Sequence, residues 1–259
     1  MKSDVPVKKA DYSKIASFYD KAHVMRESNI TLWINLISKY GNVSSGTKLL
    51  DLGCGTGRFC LPMAVDLGVS VTGADSSPAM LEKAQNKDTA GLVRWEHQDA
   101  ESLTFPDESF NVVFMSHLLH HLDTPQQALN ECERILISPG VILIRYGAIE
   151  QIRDDYRHVF FDETLEIDEA RTPSVTQVEE WLRQAGFASV RSTEVRQKTF
   201  ENSMEMLEAT SHKLTSVLTM ISEQAFSEGL NKLTAYVEAN PNDPWLLENR
   251  LTLTLGYER

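Results

Sequence analysis

The apolar positions of this chain change period as the chain advances. Short, nearly continuous apolar runs stand at residues 48–52, 70–75, 92–97, 110–115 and 141–146, the way strands buried on both faces of a parallel sheet read. Helical spacing lies between them. Ala128, Leu129, Cys132, Ile135 and Leu136 line one face of a helix with Thr124 as N-cap and Pro125 at its first position, and Ser77-Pro78 opens another helix in the same way. Pro139-Gly140 is expected to end the first of these before the fifth strand. Strand and helix alternating in this manner predict an α/β fold with a parallel sheet.

The flanks of this core follow other patterns. Residues 11–40 are helical in period, with Leu32, Trp33, Leu36 and Ile37 as core. Thr176 with Glu179 three residues on has the form of a capping box, so a helix is expected from there to Ala185, with Gly186 as its stop. A sixth strand follows at 187–190. Residues 203–240 turn helical again, with Met204, Leu207, Leu218, Ile221 and Phe226 at broadly helical spacing, and 251–257 alternates as a last strand should.

Composition narrows the partners. The chain has 25 basic and 37 acidic residues among its 259, a formal charge of −12, and an acidic surface repels polyphosphate, which disfavours nucleic acid. No apolar run is long enough to span a bilayer and the first residues lack the apolar core of a secretory signal, so no membrane partner is expected. Three scattered cysteines give neither a disulfide framework nor a metal spacing. A cytoplasmic location is the expectation.

The chemistry concentrates at Leu49-Leu50-Asp51-Leu52-Gly53-Cys54-Gly55-Thr56-Gly57-Arg58. A buried strand runs into glycines at alternate positions and then into a helix, a corner where a ligand can press on backbone amides. Phosphates or a nucleoside with a polar tail could use it. The G-x-x-G ending of a dinucleotide site would need glycine where Arg58 stands. Asp75 lies about twenty residues beyond the loop at the end of the second strand, where a carboxylate can accept the ribose hydroxyl protons. Asp99 stands at the end of the third strand, so Asp51, Asp75 and Asp99 share one edge of the sheet.

The G-x-G-x-G form with Asp51 ahead of it resembles the first motif of the class I S-adenosylmethionine (SAM) dependent methyltransferases, in their small-molecule subgroup. That resemblance implies a Rossmann-like, seven-stranded, mostly parallel sheet with helices on both faces, an N-terminal helical lid and helical insertions before the last strands. It implies one domain over 1–259: a lid at 1–40, a SAM-binding core at 41–147, a substrate-side insertion at 148–172, and the rest of the sheet at 173–259 with a cap at about 201–245. By resemblance, Asp51, Gly53, Cys54 and Gly55 hold the methionine end of SAM, Asp75 and Ser76 the ribose, and Asp99 and Ala100 the adenine. Met80 lies against the adenine or is simply core. Tyr12, Tyr19 and Arg26, seven residues apart, match the element that closes over SAM; the alternative is an amphipathic helix packed on the core.

The fourth strand delivers Ser116 and three histidines to the pocket mouth. The family more often has aspartate where Asn111 stands, which leaves open the contact that carboxylate would make. His117 is the candidate base or substrate contact, His121 the candidate for a structural hydrogen bond beneath the loop, and His120 could serve either way. A metal is not expected, because adjacent histidines such as His120 and His121 should point to different faces and no ligand is spaced to complete a site. Residues 151–169 mix aromatics and charges without a core period, so Arg153, Tyr156 and Arg157 are candidates to face the acceptor, with a solvated connector as the alternative. The expected activity is methyl transfer from SAM to a small molecule by in-line displacement, releasing S-adenosylhomocysteine. The rivals are a SAM-binding regulatory module, a protein or tRNA methyltransferase, and an NAD-dependent oxidoreductase.

Overall fold

Along the central strands, successive side chains alternate between two cores. Leu50, Leu52, Val113, Met115, Ile142 and Ile144 face one side; Leu49, Val71, Val112, Phe114, Val141 and Leu143 face the other. A pleat sends neighbours to opposite faces, so a continuous apolar run fills both layers at once. The computed structural model describes residues 25–213, 215–241 and 243–258. Tyr12 and Tyr19 lie outside them.

The sheet contains β1 (Lys48–Leu52), β2 (Ser70–Asp75), β3 (Val93–His97), β4 (Phe110–Ser116), β5 (Leu136–Tyr146), β6 (Ser189–Lys198) and β7 (Glu248–Tyr257). Their spatial order is β3-β2-β1-β4-β5-β7-β6. The first five pair in parallel, and β7 runs antiparallel to both β5 and β6. The order reverses between β1 and β4, so their carboxyl ends splay a crevice at the switch point. One face carries α1 (Glu27–Tyr40), α2 (Cys60–Leu67) and α3 (Pro78–Lys87), with Trp33, Ile37, Cys60 and Met63 in its core. The other carries α4 (Pro125–Ile135) and α8 (Val175–Ala185), with Leu129, Cys132, Val178 and Leu182 packed beneath. No helix among the described residues is long and apolar enough to cross a membrane.

Three short helices follow β5: α5 (Ile149–Ile152), α6 (Tyr156–Phe160) and α7 (Thr164–Arg171). The last two, with α9 (Ser203–Ser211) and α10 (Glu223–Ala239), enclose a third core around Tyr156, Phe160, Phe161, Met206, Phe226 and Leu233. The insertion after β5 and the cap before β7 thus fold against each other. Met206 is the buried methionine of α9, whereas Met204 is exposed.

Several boundaries differ from the sequence reading. Arg26 has extended backbone and ion-pairs with Glu201, so the helix begins at Glu27 and no unbroken helical face runs through position 26. Thr176 does not cap α8; Ser174 does, its hydroxyl accepting the Gln177 N–H, because Ser174 and Gln177 have the same three-residue spacing two residues earlier. Ser77 and Thr124 stand at N-cap positions without side-chain caps. Pro139-Gly140 does not precede β5 but lies inside it: Leu136 already pairs with Phe110, and the ladder resumes at Val112 with Val141 after a register shift. A proline is tolerated there because a bulge needs no N–H from it.

Asn111 has a role at the opposite end of the sheet from the crevice. Its side-chain oxygen accepts the Lys48 N–H at 2.8 Å, fixing the first residue of β1 to β4. A carboxylate could accept the same bond. Asn111→Asp is therefore expected to leave thermal stability nearly unchanged, while Asn111→Ala should cost about 1 kcal/mol in urea unfolding.

Candidate functional site

The site grows from the turn that ends β1. The N–H groups of Gly53 and Cys54 both donate to the Ala74 carbonyl, which swings the chain across the end of β2. Gly57 has φ +77°, and a Cβ there would come within 2.5 Å of the Trp95 ring. The indole is held from below, its N–H donating to Asp88 at 3.1 Å. Gly57 is thus fixed by packing. Gly55 is different: at φ +55° a Cβ would meet nothing within 4 Å, so its backbone borders open space.

Asp75 clamps that open loop. One carboxylate oxygen accepts the Gly55 N–H and the other accepts the Ser77 N–H, each at 2.8 Å. Burial pushes its pKa up against the pull of these amides and of His97. Each oxygen keeps lone-pair capacity for a further donor. His97 is the register partner of Asp75, and its Nε2 lies 3.1 Å from the Ser76 carbonyl. Ser76 is exposed beside it and Met80 is buried on the first turn of α3. At the next strand end Asp99 is exposed, its carboxylate accepting the Glu101 N–H at 3.0 Å, while Ala100 is buried.

Asp51 is set deeper. It is 2% exposed, and the Cys60 thiol donates to its carboxylate at 3.0 Å. The Cys54 thiol is turned to the Gly55 carbonyl at 3.8 Å, and both cysteines are buried with Asp51 under the loop. Burial raises the Asp51 pKa to about 7, the negative Asp75 adds to this, and Arg58 opposes it. Cys60 carried no sequence signal beyond being apolar on a helix.

At the ends of β4 and β5 the chemistry changes sign. Arg145 and Ser116 are register partners, and Arg145 Nη1 donates to the Ser116 hydroxyl at 3.0 Å. Its guanidinium lies 4.8 Å from the Trp33 ring and 5.7 Å from the Phe59 ring. The Gln197 amide oxygen receives both Arg145 Nη2 and the Trp33 indole N–H. Arg145 was passed over as a strand residue. The signal was there: a lone charge at the end of Val141-Ile142-Leu143-Ile144 is out of character for a central strand.

His117 follows directly, in the left-handed region at φ +55°, with its N–H on the Arg145 carbonyl. Burial drives its pKa well below the ordinary histidine range, and the Arg145 and Arg58 charges act in the same direction, as do His120 and His121 when protonated. His120 is lowered by burial, then by His121 and Arg171. At neutral pH both rings are uncharged. His120 and His121 do not point to different faces: on the tight turn Leu119–His121 their ring centroids are 3.9 Å apart, and His117 is 6.3 Å from His120. Among the described residues no cluster of metal-ligating side chains forms.

The insertion's candidates are engaged within it. The Tyr156 ring is buried in the cap core with its hydroxyl 3.1 Å from that of Thr210. Arg157 grips the Asp155 carboxylate through Nε and Nη2, both at 2.6 Å. Arg153 is bound at the surface to Glu169. Arg26 is likewise turned to Glu201. The structure therefore brings Asp51, Gly53, Cys54, Gly55, Asp75, Ser76, Asp99, Ser116 and His117 to one edge of the sheet. It leaves Arg153, Tyr156 and Arg157 in the insertion.

The chain has relatives in sequence and in fold. A family profile described as a methyltransferase domain matches residues 50–144. The demethylmenaquinone methyltransferase of Clavibacter sepedonicus is 30% identical over 203 residues, which cover 70% of this chain and 82% of that protein. A ubiquinone/menaquinone biosynthesis C-methyltransferase of Bdellovibrio bacteriovorus is 31% identical over 53% of this chain and 61% of its own length. A crystal structure from Anabaena variabilis, of a protein ascribed to methyl transfer in antibiotic biosynthesis, superposes with TM-score 0.72 at 19% identity. It covers 86% of this chain and 96% of that one, a likeness of fold.

Proposed function

The chain belongs to the class I SAM-dependent methyltransferases, small-molecule subgroup, and we propose that it moves the SAM methyl group to its acceptor by in-line displacement at the crevice between β1 and β4. The observation that carries this reading is the Asp75 clamp: a carboxylate bridging the Gly55 and Ser77 amides beside a loop glycine that borders open space. Its free lone pairs suit two ribose hydroxyls. Asp99 and the Ala100 amide suit the adenine edge, and Asp51 with the loop backbone suits the methionine end. When bound, SAM supplies a methyl group made electrophilic by its sulfonium. The protein's own part is to hold donor and acceptor in line and keep water out, which can supply much of such a barrier reduction.

His117 then serves the acceptor as a neutral ring rather than as a proton store, since burial and the nearby Arg145 and Arg58 hold its pKa down. Tyr12 and Tyr19 are proposed to complete the roof of the SAM site from outside the described residues. The substrate classes named for the relatives, a quinone precursor among them, make an aromatic acceptor a reasonable first screen. Calorimetric titration with S-adenosylhomocysteine and separately with NAD tests the cofactor, and release of S-adenosylhomocysteine from SAM in an acceptor screen tests turnover. Binding of the first ligand alone, followed by turnover, is the expected result. Binding without turnover on any acceptor would favour a regulatory module, and binding of NAD alone would remove the reading.

A further inference from the structure

The carboxyl edge of the sheet is divided by charge. On the cofactor side, Asp51 stands one residue before the end of β1, Asp75 ends β2 and Asp99 lies two residues beyond β3. Across the switch point, Ser116 ends β4 with His117 directly after it, and Arg145 is the next-to-last residue of β5. Arg58 stands on the glycine loop between them, close enough to act electrostatically on both Asp51 and His117. Arg171, reaching from α7, adds its charge at His120 while ion-paired to Asp168. The permanent charges that act most on His117 are the Arg145 and Arg58 guanidiniums. In a protein of net charge −12, this corner is an island of positive potential.

Arg145 is fixed rather than wandering. Ser116 and Gln197 receive its N–H groups, two aromatic rings flank its guanidinium, and it is 2% exposed. A buried, oriented cation acts strongly over short distances because little water screens it. The neutral His117 ring beside it has one N–H to donate. Together they form a receptor for negatively charged oxygen.

Resting on the methyltransferase reading above, we infer that the acceptor carries an acidic oxygen and is bound as its oxyanion, drawn by Arg145 and Arg58 and hydrogen-bonded by His117. Carboxylates and ionised phenols or enols share this chemistry. The acceptor's proton leaves to solvent as it binds, so no protein base is required at the transfer. An oxygen lone pair, or the carbon conjugated to it, then forms the new bond to the methyl carbon. The sulfur–methyl bond breaks, its electron pair stays on sulfur, and anion plus sulfonium become two neutral groups.

The test uses the full chain saturated with S-adenosylhomocysteine and two pairs of probes: 4-nitrophenol with 4-nitroanisole, and benzoate with methyl benzoate. Nitrophenol reports its own ionisation by absorbance. Its pKa when bound is expected to fall by about one unit or more, and at least one anion should bind about tenfold more tightly than its neutral ether or ester. Preference for benzoate identifies a carboxylate acceptor, and preference for nitrophenolate a phenol or enol. Arg145→Gln should abolish the preference and Arg145→Lys should retain part of it, with S-adenosylhomocysteine affinity confirming that each variant is folded. If S-adenosylhomocysteine binds but neutral probes match the anions, or neither anion binds, the oxyanion receptor is overturned while the methyltransferase reading stands. If S-adenosylhomocysteine itself does not bind, both fall.

Discussion

Replacing Asp75 by alanine is expected to weaken S-adenosylhomocysteine binding by about 100-fold, near 3 kcal/mol. Two losses combine. The ligand loses hydrogen bonds to a charged acceptor, worth about 1.5–3 kcal/mol each in a buried setting. The loop also loses its clamp, since the Gly55 and Ser77 N–H groups now both bond to this carboxylate. Asp75→Asn should fall between the two, because an amide has one acceptor oxygen and cannot serve both N–H groups. Calorimetry of the three proteins, with melting curves to confirm folding, checks the order. Affinity of the alanine variant within threefold of the parent would remove the ribose role from Asp75.

The strands, their parallel pairing and the acidic edge were legible in the sequence because each depends on short-range pattern. A central strand such as Phe110–Ser116 must be apolar on both sides, and the glycines of a tight turn cannot be replaced where Trp95 presses on Gly57. The insertion after β5 was expected only from the resemblance, and its individual helices were not legible in the residue pattern. Its helices of four, five and eight residues each turn only a few side chains inward, too few for a period. Their partners, from Met206 to Leu246, lie far along the chain. Tyr156 belongs to a core assembled from two distant segments, which no local pattern reveals. The cap of α8 failed for a different reason: Ser174–Gln177 and Thr176–Glu179 carry the same spacing, and only backbone geometry separates them.

The site's charge state was the least legible part, because burial decides it. A sequence shows a histidine near a strand end, and that residue type suggests a base. The structure withdraws His117 from water beside the Arg145 and Arg58 guanidiniums, which lowers its basicity. The same burial acts in the opposite sense on Asp51, and there it can be measured most directly.

Asp51→Asn is expected to stabilise the unliganded protein above neutral pH while weakening its hold on the cofactor. Burial places the Asp51 pKa at about 7 in the fold against an ordinary 3.8. Between those values the folded protein keeps a proton that the unfolded chain releases, so stability falls as pH rises through this window. Once the group is fully ionised, the cost reaches roughly 4 kcal/mol as an upper bound. Asparagine carries no charge and can still accept the Cys60 thiol, the bond seen at 3.0 Å. The melting temperature of the variant should therefore exceed that of the parent at pH 8, and the difference should shrink toward pH 4. A parent that melts alike at pH 5 and pH 8 would remove the buried proton. Its functional counterpart is proton release. A cationic methionine end approaching Asp51 favours the ionised form, so binding SAM at pH 7 should expel about half a proton, read by calorimetry in two buffers of different ionisation enthalpy. The asparagine variant should lack that release and bind more weakly, which ties the strain held at Asp51 to its task.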